Sequence, residues 1–421
     1  MKKYVTKKAA GFGSSRAAIP LLAFVFNSAC VAAYERPNAS AKAESTDILN
    51  FYLSDSVRYE DNLYRLSNNF GNTNVLIGPG ASRDDIVNTA AFGASTRLFA
   101  GRQTFNLEGR IENNHFQQND NLDHNAGNAA AVWDWVFGSA FSGKVGAMYS
   151  RSLADFAYTR TLDRDMLTRK DYYVDARMRF TPRWSLSGEA KTSRADQSTS
   201  INATENTITD SWKAGLIYET PRMDSFGFDY AHSKTRLPDY IPVNGVDRNY
   251  EDHSGVGWLK YQISEKTQFE LRAGHLQRSY TQSSDGDFSG AIGRATAHWQ
   301  PTVKTSFDVS AWRELQAYSE VGSEYFVSEG VSLKSIWNAT DVFGFALTLS
   351  RENNNYKSEN ANVVLDTRRR DEVFAGEFAA IYTPRDWAKI DLSYRHQNRS
   401  SNRDLQDYTA NVVALTGKIL F

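Results

Sequence analysis

Cysteine and long apolar runs are the features that this sequence lacks. Cys30 is the one cysteine among 421 residues, so the chain cannot form an internal disulfide. A transmembrane helix needs about 20 consecutive apolar residues, and no segment reaches that length. Glycine-rich phosphate-binding loops are missing as well. These absences exclude a disulfide-stabilised domain, a helical membrane protein and a nucleotide-driven transporter.

An excess of charge of one sign is also missing. Lys and Arg total 48, Asp and Glu total 49, and both signs are spread along the chain. A nucleic-acid-binding protein would concentrate basic residues, so we exclude that class of partner. Aromatic residues, in contrast, reach 13% although only 41% of the residues are hydrophobic. This combination is typical of a lipid-facing band with aromatic girdles around a polar interior.

The N-terminus has the organisation of a cleaved signal peptide. A basic segment precedes a short apolar stretch at residues 17–26, and Val31-Ala32-Ala33 offers small residues for cleavage. We therefore predict a signal peptide at 1–33, a short periplasmic lead-in at 34–47 and a barrel at 48–421. A lipid anchor on Cys30 is disfavoured, because Asn27 stands where an aliphatic residue is required. The basic residues are Lys2, Lys3, Lys7, Lys8 and Arg16.

Alternation of apolar and polar residues dominates the rest of the chain. Phe105, Leu107 and Ile111 share one face of a predicted strand, whereas Glu108 and Arg110 share the other. The same period recurs in segments of about 10 to 15 residues, which suits tilted strands that cross a bilayer. We count about 18 such segments, an even number that is usual for outer-membrane barrels.

Connection lengths separate a barrel from a soluble β-sandwich. Tight turns such as Thr181–Trp184 and Thr383–Trp387 alternate with long polar segments. A barrel with short periplasmic turns and longer extracellular loops produces this alternation, and a sandwich does not. The sequence therefore predicts an all-β fold, a transmembrane antiparallel β-barrel in the bacterial cell outer membrane. The long segments are 66–83, 117–127, 151–169, 193–205, 237–249 and 352–370.

The C-terminal residues form a predicted last strand. Val413, Leu415, Ile419 and the terminal Phe421 fall on one face, with Thr416 on the other. A final aromatic after such alternation resembles the insertion signal that the barrel assembly machinery reads. We therefore expect that machinery, membrane lipids and lipopolysaccharide as partners.

Two segments resemble the EpsL-like family of outer-membrane β-barrels, which is associated with exosortase systems and exopolysaccharide biosynthesis. The first segment is Asp61–Leu66, at the end of the predicted strand Phe51–Leu66. The second is Tyr394–Asn402 followed by Tyr408. The resemblance implies a conduit or accessory for an exported polysaccharide, with periplasmic export proteins as partners. Asp61 and Asn62 have an alternative interpretation as a polar pair that begins a loop. The family-like residues are Asp61, Asn62, Leu63, Tyr64 and Arg65.

Charged residues on the polar strand faces are the candidate lining of the lumen. If apolar residues face lipid, these side chains form a belt of mixed sign near mid-height. Such a belt has two interpretations: lateral ion pairs that stiffen the wall, or a hydrated lining along which a polyhydroxylated chain slides. Both can hold together. The candidates are Glu108, Arg110, Asp175, Arg177, Glu189, Lys213, Glu270, Arg272 and Asp391.

Catalytic and metal-binding motifs are missing. The seven histidines are scattered, no pair has ligand spacing on one strand face, and a metal site at His115 and His124 is disfavoured. We predict no enzyme activity, metal or cofactor. The favoured function is polysaccharide export through the barrel. The alternative is a diffusion porin for small solutes, and the less favoured hypotheses are a barrel enzyme and a surface adhesin.

Overall fold

Most of the described chain is β-strand. The computed structural model describes residues 49–69, 81–158, 162–222, 224–241, 247–282, 286–320, 323–357 and 369–421. The predicted signal peptide at 1–33 and the lead-in at 34–47 lie outside these residues. The first strand begins at Leu49, beside the predicted barrel start at residue 48.

The strands are β1 (Leu49–Glu60), β2 (Asp85–Ala100), β3 (Gln103–Phe116), β4 (His124–Phe137), β5 (Phe141–Leu153), β6 (Met166–Arg179), β7 (Trp184–Gln197), β8 (Thr207–Glu219), β9 (Ser225–Arg236), β10 (Tyr250–Ser264), β11 (Thr267–Tyr280), β12 (Phe288–Thr302), β13 (Thr305–Glu320), β14 (Ser323–Asn338), β15 (Phe343–Lys357), β16 (Arg370–Arg385), β17 (Ala388–Ser401) and β18 (Tyr408–Leu420). Two single-turn 3₁₀ helices lie in connections, at Asp120–Leu122 and Ala203–Glu205.

Each strand pairs antiparallel with its sequence neighbours, and β1 also pairs with β18. The pairing runs from Tyr52 opposite Leu420 to Glu60 opposite Val412, so the sheet closes on itself. Closure gives hydrogen-bond partners to the backbone N–H and C=O groups that an edge strand would leave unpaired. A sheet in lipid requires such partners. The predicted fold class and the predicted number of about 18 strands are both confirmed.

Short and long connections lie at opposite ends of the barrel. Tight turns such as 101–102 and 138–140 join β2 to β3 and β4 to β5, and each uses a glycine with positive φ, Gly101 and Gly138. In the turn before β7, the backbone N–H of Trp184 donates to Oγ1 of Thr181 over 2.9 Å. The opposite end carries the longer connections, including 154–165, 237–249 and 402–407. Short turns mark the periplasmic end of an outer-membrane barrel.

Apolar side chains cover one face of the closed sheet. Leu107 and Ile111 are 41% and 68% exposed, and Phe105 stacks on Trp133 of β4 with 5.9 Å between ring centroids. Glu108 and Arg110 alternate with them and occupy the opposite face. An exposed apolar face around a closed barrel is the surface that lipid covers. The protein is therefore an outer-membrane barrel, as its sequence predicted.

The first strand is shorter than predicted. It ends at Glu60 rather than at Leu66, and Asp61 leaves the ladder to accept hydrogen bonds from the backbone N–H and Nδ2 of Asn411 at 2.7 and 2.6 Å. Arg65 has a φ of 54°, which a strand cannot accommodate. The alternative interpretation of Asp61 and Asn62, a polar pair that begins a loop, matches the structure.

Among the described residues, no helix has both the length and the apolar content needed to cross a membrane.

Candidate functional site

The connection between β5 and β6 contains several buried residues in its described parts, 154–158 and 162–165. Its base is closed by the backbone N–H of Ala154, which donates to the carbonyl oxygen of Asp165 over 2.8 Å. Phe156 and Ala157 are only 9% and 7% exposed, and Asp165 is 1% exposed. A surface loop would leave these side chains in water, so this connection is packed against other parts of the barrel.

Ala157 and Tyr158 of this connection contact distant strands of the barrel. Nη1 of Arg399 on β17 donates to the carbonyl oxygen of Ala157 over 2.8 Å. Tyr158 packs against Phe326 of β14 and Tyr356 of β15, which lie across the ring from β5 and β6. A contact between opposite walls of a closed barrel passes through its interior. Residues 154–158 therefore cross the inside of the barrel, and we call them the crossing segment.

These contacts also identify the inner face of the strands. Arg399 and the buried Tyr408 both contact the crossing segment. Leu392 and Tyr394, of opposite parity on β17, are 51% and 47% exposed. The charged strand faces are thus inside and the apolar faces are outside.

The family-like residues hold the β1–β2 connection against the crossing segment. Tyr64 contacts Phe156 edge-on with 4.9 Å between ring centroids, and its hydroxyl donates to Oδ1 of Asn119 over 3.1 Å. Burial raises the pKa of Tyr64 to about 12, so its phenol stays protonated. Leu63 packs in the same apolar cluster. This cluster also contains Val87, Phe116 and Leu122.

Asn62 and Arg65 fix the turn that carries Tyr64. Nδ2 of Asn62 donates to the carbonyl oxygens of Leu66 and Thr409 at 2.8 and 2.9 Å. Arg65 forms an ion pair with Glu60 and lies over the Tyr408 ring, 5.9 Å from its centroid. The five family-like residues therefore anchor the β1–β2 connection at the end of the barrel that carries the long connections. We call this end the mouth.

Two buried aspartates order the neighbouring connections. Asp85 is fully buried and accepts hydrogen bonds from the backbone N–H groups of Gln117, Gln118 and Asn119 at 2.9 to 3.0 Å. Asp165 accepts from the backbone N–H groups of Ser198 and Thr199 at 2.8 and 3.0 Å. A carboxylate with several N–H donors stabilises a loop that has no sheet ladder of its own. The connections at this end are therefore held in defined conformations by these hydrogen bonds.

Arginine–tyrosine pairs surround the crossing segment and the mouth. The guanidinium of Arg399 lies 4.5 Å from the Tyr408 ring centroid, and that of Arg369 lies 4.2 Å from the Tyr356 ring centroid. Arg369 also binds Asp371 with a shortest N–O distance of 2.6 Å. These charges are almost completely buried and are compensated by carboxylates and aromatic faces. Such an arrangement rigidifies the mouth without making it strongly basic.

Most of the predicted lining residues form lateral ion pairs on the inner face. Pairs within or between strands include Lys213–Glu189 and Arg177–Glu219 at 2.8 Å, Arg272–Asp229 at 3.3 Å, Arg110–Glu112 at 2.6 Å, Lys389–Asp391 at 3.0 Å, and Lys260–Glu270. Arg272 and Asp229 come from β11 and β9, with β10 between them, so this pair spans an intervening strand.

Asp175 and Glu108 differ from the other predicted lining residues. Asp175 lies opposite Glu189 in the β6–β7 ladder and opposite Lys144 in the β5–β6 ladder. Glu108 is exposed and lies between Ser95 and Ala130 on the neighbouring strands. The structure places the nine residues on the inner face around the ring and does not gather them at one point. Their role in lining a solute pathway therefore belongs to the proposal below.

Phe421 closes the barrel seam through its backbone. Its N–H donates to the carbonyl oxygen of Phe51 over 2.8 Å, and its side chain is 68% exposed on the outside. Insertion by the assembly machinery stays a prediction.

The crossing segment was missed by sequence reasoning. It lies inside the predicted polar loop 151–169, where Phe156, Ala157 and Tyr158 are the available signal. Consecutive apolar residues within a polar connection indicate packing rather than a solvated loop. Arg399 and Asp371 were missed because nothing in the alternation distinguishes them from other polar strand residues.

Comparisons with known proteins found one matching family model and several solved structures of similar topology. The model of the family described as "Putative beta-barrel porin 2" matches residues 239–419, which include β10 to β17 and most of β18. The search of curated proteins found no match. Among solved structures, OpdK from Pseudomonas aeruginosa with vanillate is 10% identical, with a TM-score of 0.47, over 89% of this chain and 99% of that one. A BenF-like porin from Pseudomonas fluorescens Pf-5 is 9% identical, with a TM-score of 0.49, over the same shares.

The matched family and the closed barrel support an outer-membrane β-barrel porin. They do not confirm the resemblance to polysaccharide-associated barrels. The choice between small solutes and an exported polymer therefore rests on the interior of this chain.

Proposed function

We propose that this protein is a diffusion porin for small polar solutes, the alternative that the sequence left open. The observation that carries the proposal is the crossing segment, which packs against β14 and β15 across the ring through Tyr158 and is bound to β17 by Arg399. A segment fixed across the interior narrows the path. Small solutes pass beside such a segment, whereas a continuous polymer needs a clear cross-section along its whole length.

The inner wall supports weak rather than strong charge selectivity. Lys213, Arg177 and Arg272 each have a carboxylate within 3.3 Å, so the wall presents little uncompensated charge of either sign. A pore that selects strongly for anions or cations needs a ring of one charge. The nine predicted lining residues would then keep the pathway hydrated and would not form a deep binding site.

Polysaccharide export is the second hypothesis, and it rests on the resemblance at residues 61–66 and 394–402. In the structure, the first of these segments anchors the mouth by packing Tyr64 on Phe156. Export through the barrel would require the crossing segment to leave Arg399 and the opposite wall. Lipids, lipopolysaccharide and the assembly machinery are proposed partners under either hypothesis. Exported polysaccharide and periplasmic export proteins are partners under the second hypothesis only.

A swelling assay tests the proposal. Proteoliposomes with the refolded barrel are diluted into neutral sugars of increasing size, and protein-free liposomes serve as the control. We expect rapid swelling with monosaccharides, slower swelling with disaccharides, and none with larger oligosaccharides. A strain that lacks the protein should keep its surface polysaccharide. Absence of swelling with every sugar, together with loss of the surface polysaccharide, would overturn the proposal in favour of export.

A further inference from the structure

Two histidines and a glutamate meet on the outer face of the barrel. His232 of β9 and His253 of β10 are direct partners in the antiparallel ladder, and their ring centroids are 4.5 Å apart. Glu251 lies two residues before His253, on the same strand face. One ligand atom from each of the three residues lies within 4.8 Å of the others. Spacing along one strand could not reveal this cluster, because it forms between two strands.

The cluster lies at the edge of the apolar band, where water reaches the wall. Along the outer face of β9, Phe226 and Phe228 are followed by Tyr230 and His232, and then by the exposed Lys234. Glu251 and His253 occupy the first positions of β10, close to the connection 237–249. The cluster is therefore at the end with the long connections and is accessible to an ion from solution.

The hydrogen bonds around the cluster suit metal ligation. Nδ1 of His253 lies 2.8 Å from the hydroxyl of Tyr230, which leaves Nε2 for a ligand. Metal-binding histidines commonly use their second ring nitrogen in such a bond. Nδ1 of His232 is buried and has no hydrogen-bond partner among the residues that the structure describes. An unpaired buried nitrogen is costly unless a ligand satisfies it.

Lys234 is the local competitor for a cation. Its Nζ lies 2.8 Å from Oε1 of Glu251, and both side chains are largely exposed. An exposed ion pair contributes little to stability, so a divalent ion can displace the ammonium group at small cost. Two imidazole nitrogens and one carboxylate oxygen then provide three ligands.

We propose that His232, Glu251 and His253 bind a zinc-class divalent metal ion that links β9 to β10 on the outer wall. Two nitrogens and one oxygen suit Zn²⁺, and a fourth position stays open for water or an exogenous oxygen ligand. The link fixes the two strands where the connection 237–249 leaves the wall. It is independent of solute passage, because the cluster is outside the barrel.

Zinc titration by calorimetry tests the proposal on the full-length mature barrel, refolded without a histidine tag and stripped with a chelator. We expect one Zn²⁺ per barrel and a thermal midpoint that rises with zinc and falls again with chelator. His232→Ala and His253→Ala should each weaken binding by more than the roughly 10- to 100-fold that loss of an outer partner costs. Lys234→Met should strengthen binding by several-fold, since Glu251 loses its competing cation.

The matched control is His275→Ala. His275 lies on the outer face of β11, and its Nε2 contacts only the hydroxyl of Ser289, at 2.9 Å, among the hydrogen bonds found. This variant should bind zinc like the wild type. Heat-modifiable migration on gels shows whether each variant is folded. If a histidine-to-alanine variant does not fold, His253→Gln is tested in its place. Zinc binding that is absent from the wild type, or equal in the wild type, His232→Ala and His253→Gln, would overturn the proposal.

Discussion

Ion pairs at the mouth of the barrel differ from those of its mid-wall. The side chains of Lys213 and Glu189 in the wall are 33% and 29% exposed, whereas those of Arg369 and Asp371 near the crossing segment are 2% and 0% exposed. Exposed pairs exchange with water and contribute little, but buried pairs cannot lose one partner without a large penalty. The wall therefore tolerates variation of its charges, whereas the mouth depends on them.

Removal of a buried cation at the mouth should have the largest effect on stability. Arg369→Met leaves the buried Asp371 without the guanidinium that binds it, so we expect a loss of about 3–5 kcal/mol. The matched wall variant is Arg395→Met, whose partner Glu377 lies 2.8 Å away in a part-exposed pair, and its cost should be about 1 kcal/mol or less. Urea unfolding in lipid vesicles measures both. Equal costs would show that mouth and wall do not differ.

Placing a charged side chain on the lipid-facing side of a strand should have the next largest effect on stability. Leu107→Arg places a charge against lipid and should cost about 2–4 kcal/mol, depending on depth. Arg110→Leu on the same strand changes the inner face, where water is available, and should cost much less. Folding yields into vesicles give the comparison. If the two variants fold equally well, the assignment of inner and outer faces is wrong.

The smallest effect is expected for a single wall pair. A double-mutant cycle on Lys213→Ala and Glu189→Ala should give a coupling energy of about 1 kcal/mol or less, because the pair is part-exposed. High salt should reduce it further. A coupling above about 3 kcal/mol, a value typical of buried pairs, would remove the distinction between wall and mouth.

Most of the wall could be predicted from the sequence. Period-two alternation determines which residues face lipid, so residues 105–112 alone specified both faces of β3. The connection 237–249 also has the predicted bounds. The prediction failed at Asp61 to Leu66, which it included in the first strand although Arg65 has a positive φ and the chain has left the sheet.

The interior of the mouth could not be predicted in the same way. Its contacts join residues far apart in sequence, such as Ala157 with Arg399 and Tyr64 with Phe156. Alternation carries no information about which loop folds inward. The sequence of a loop that folds inward differs from that of a solvated loop by only two or three side chains. In this connection they are Phe156 and Tyr158.

Single-channel conductance tests the central claim, that the crossing segment narrows the path, most directly. The double variant Phe156→Ala/Tyr158→Ala removes the aromatic contacts that seat the segment on Tyr64, Phe326 and Tyr356. Leu107→Ala on the lipid face is the control and should conduct like the wild type. We expect the double variant to conduct several-fold more than the wild type and to admit larger sugars, with heat-modifiable migration unchanged. A folded double variant with wild-type conductance and the wild-type size limit would contradict the account.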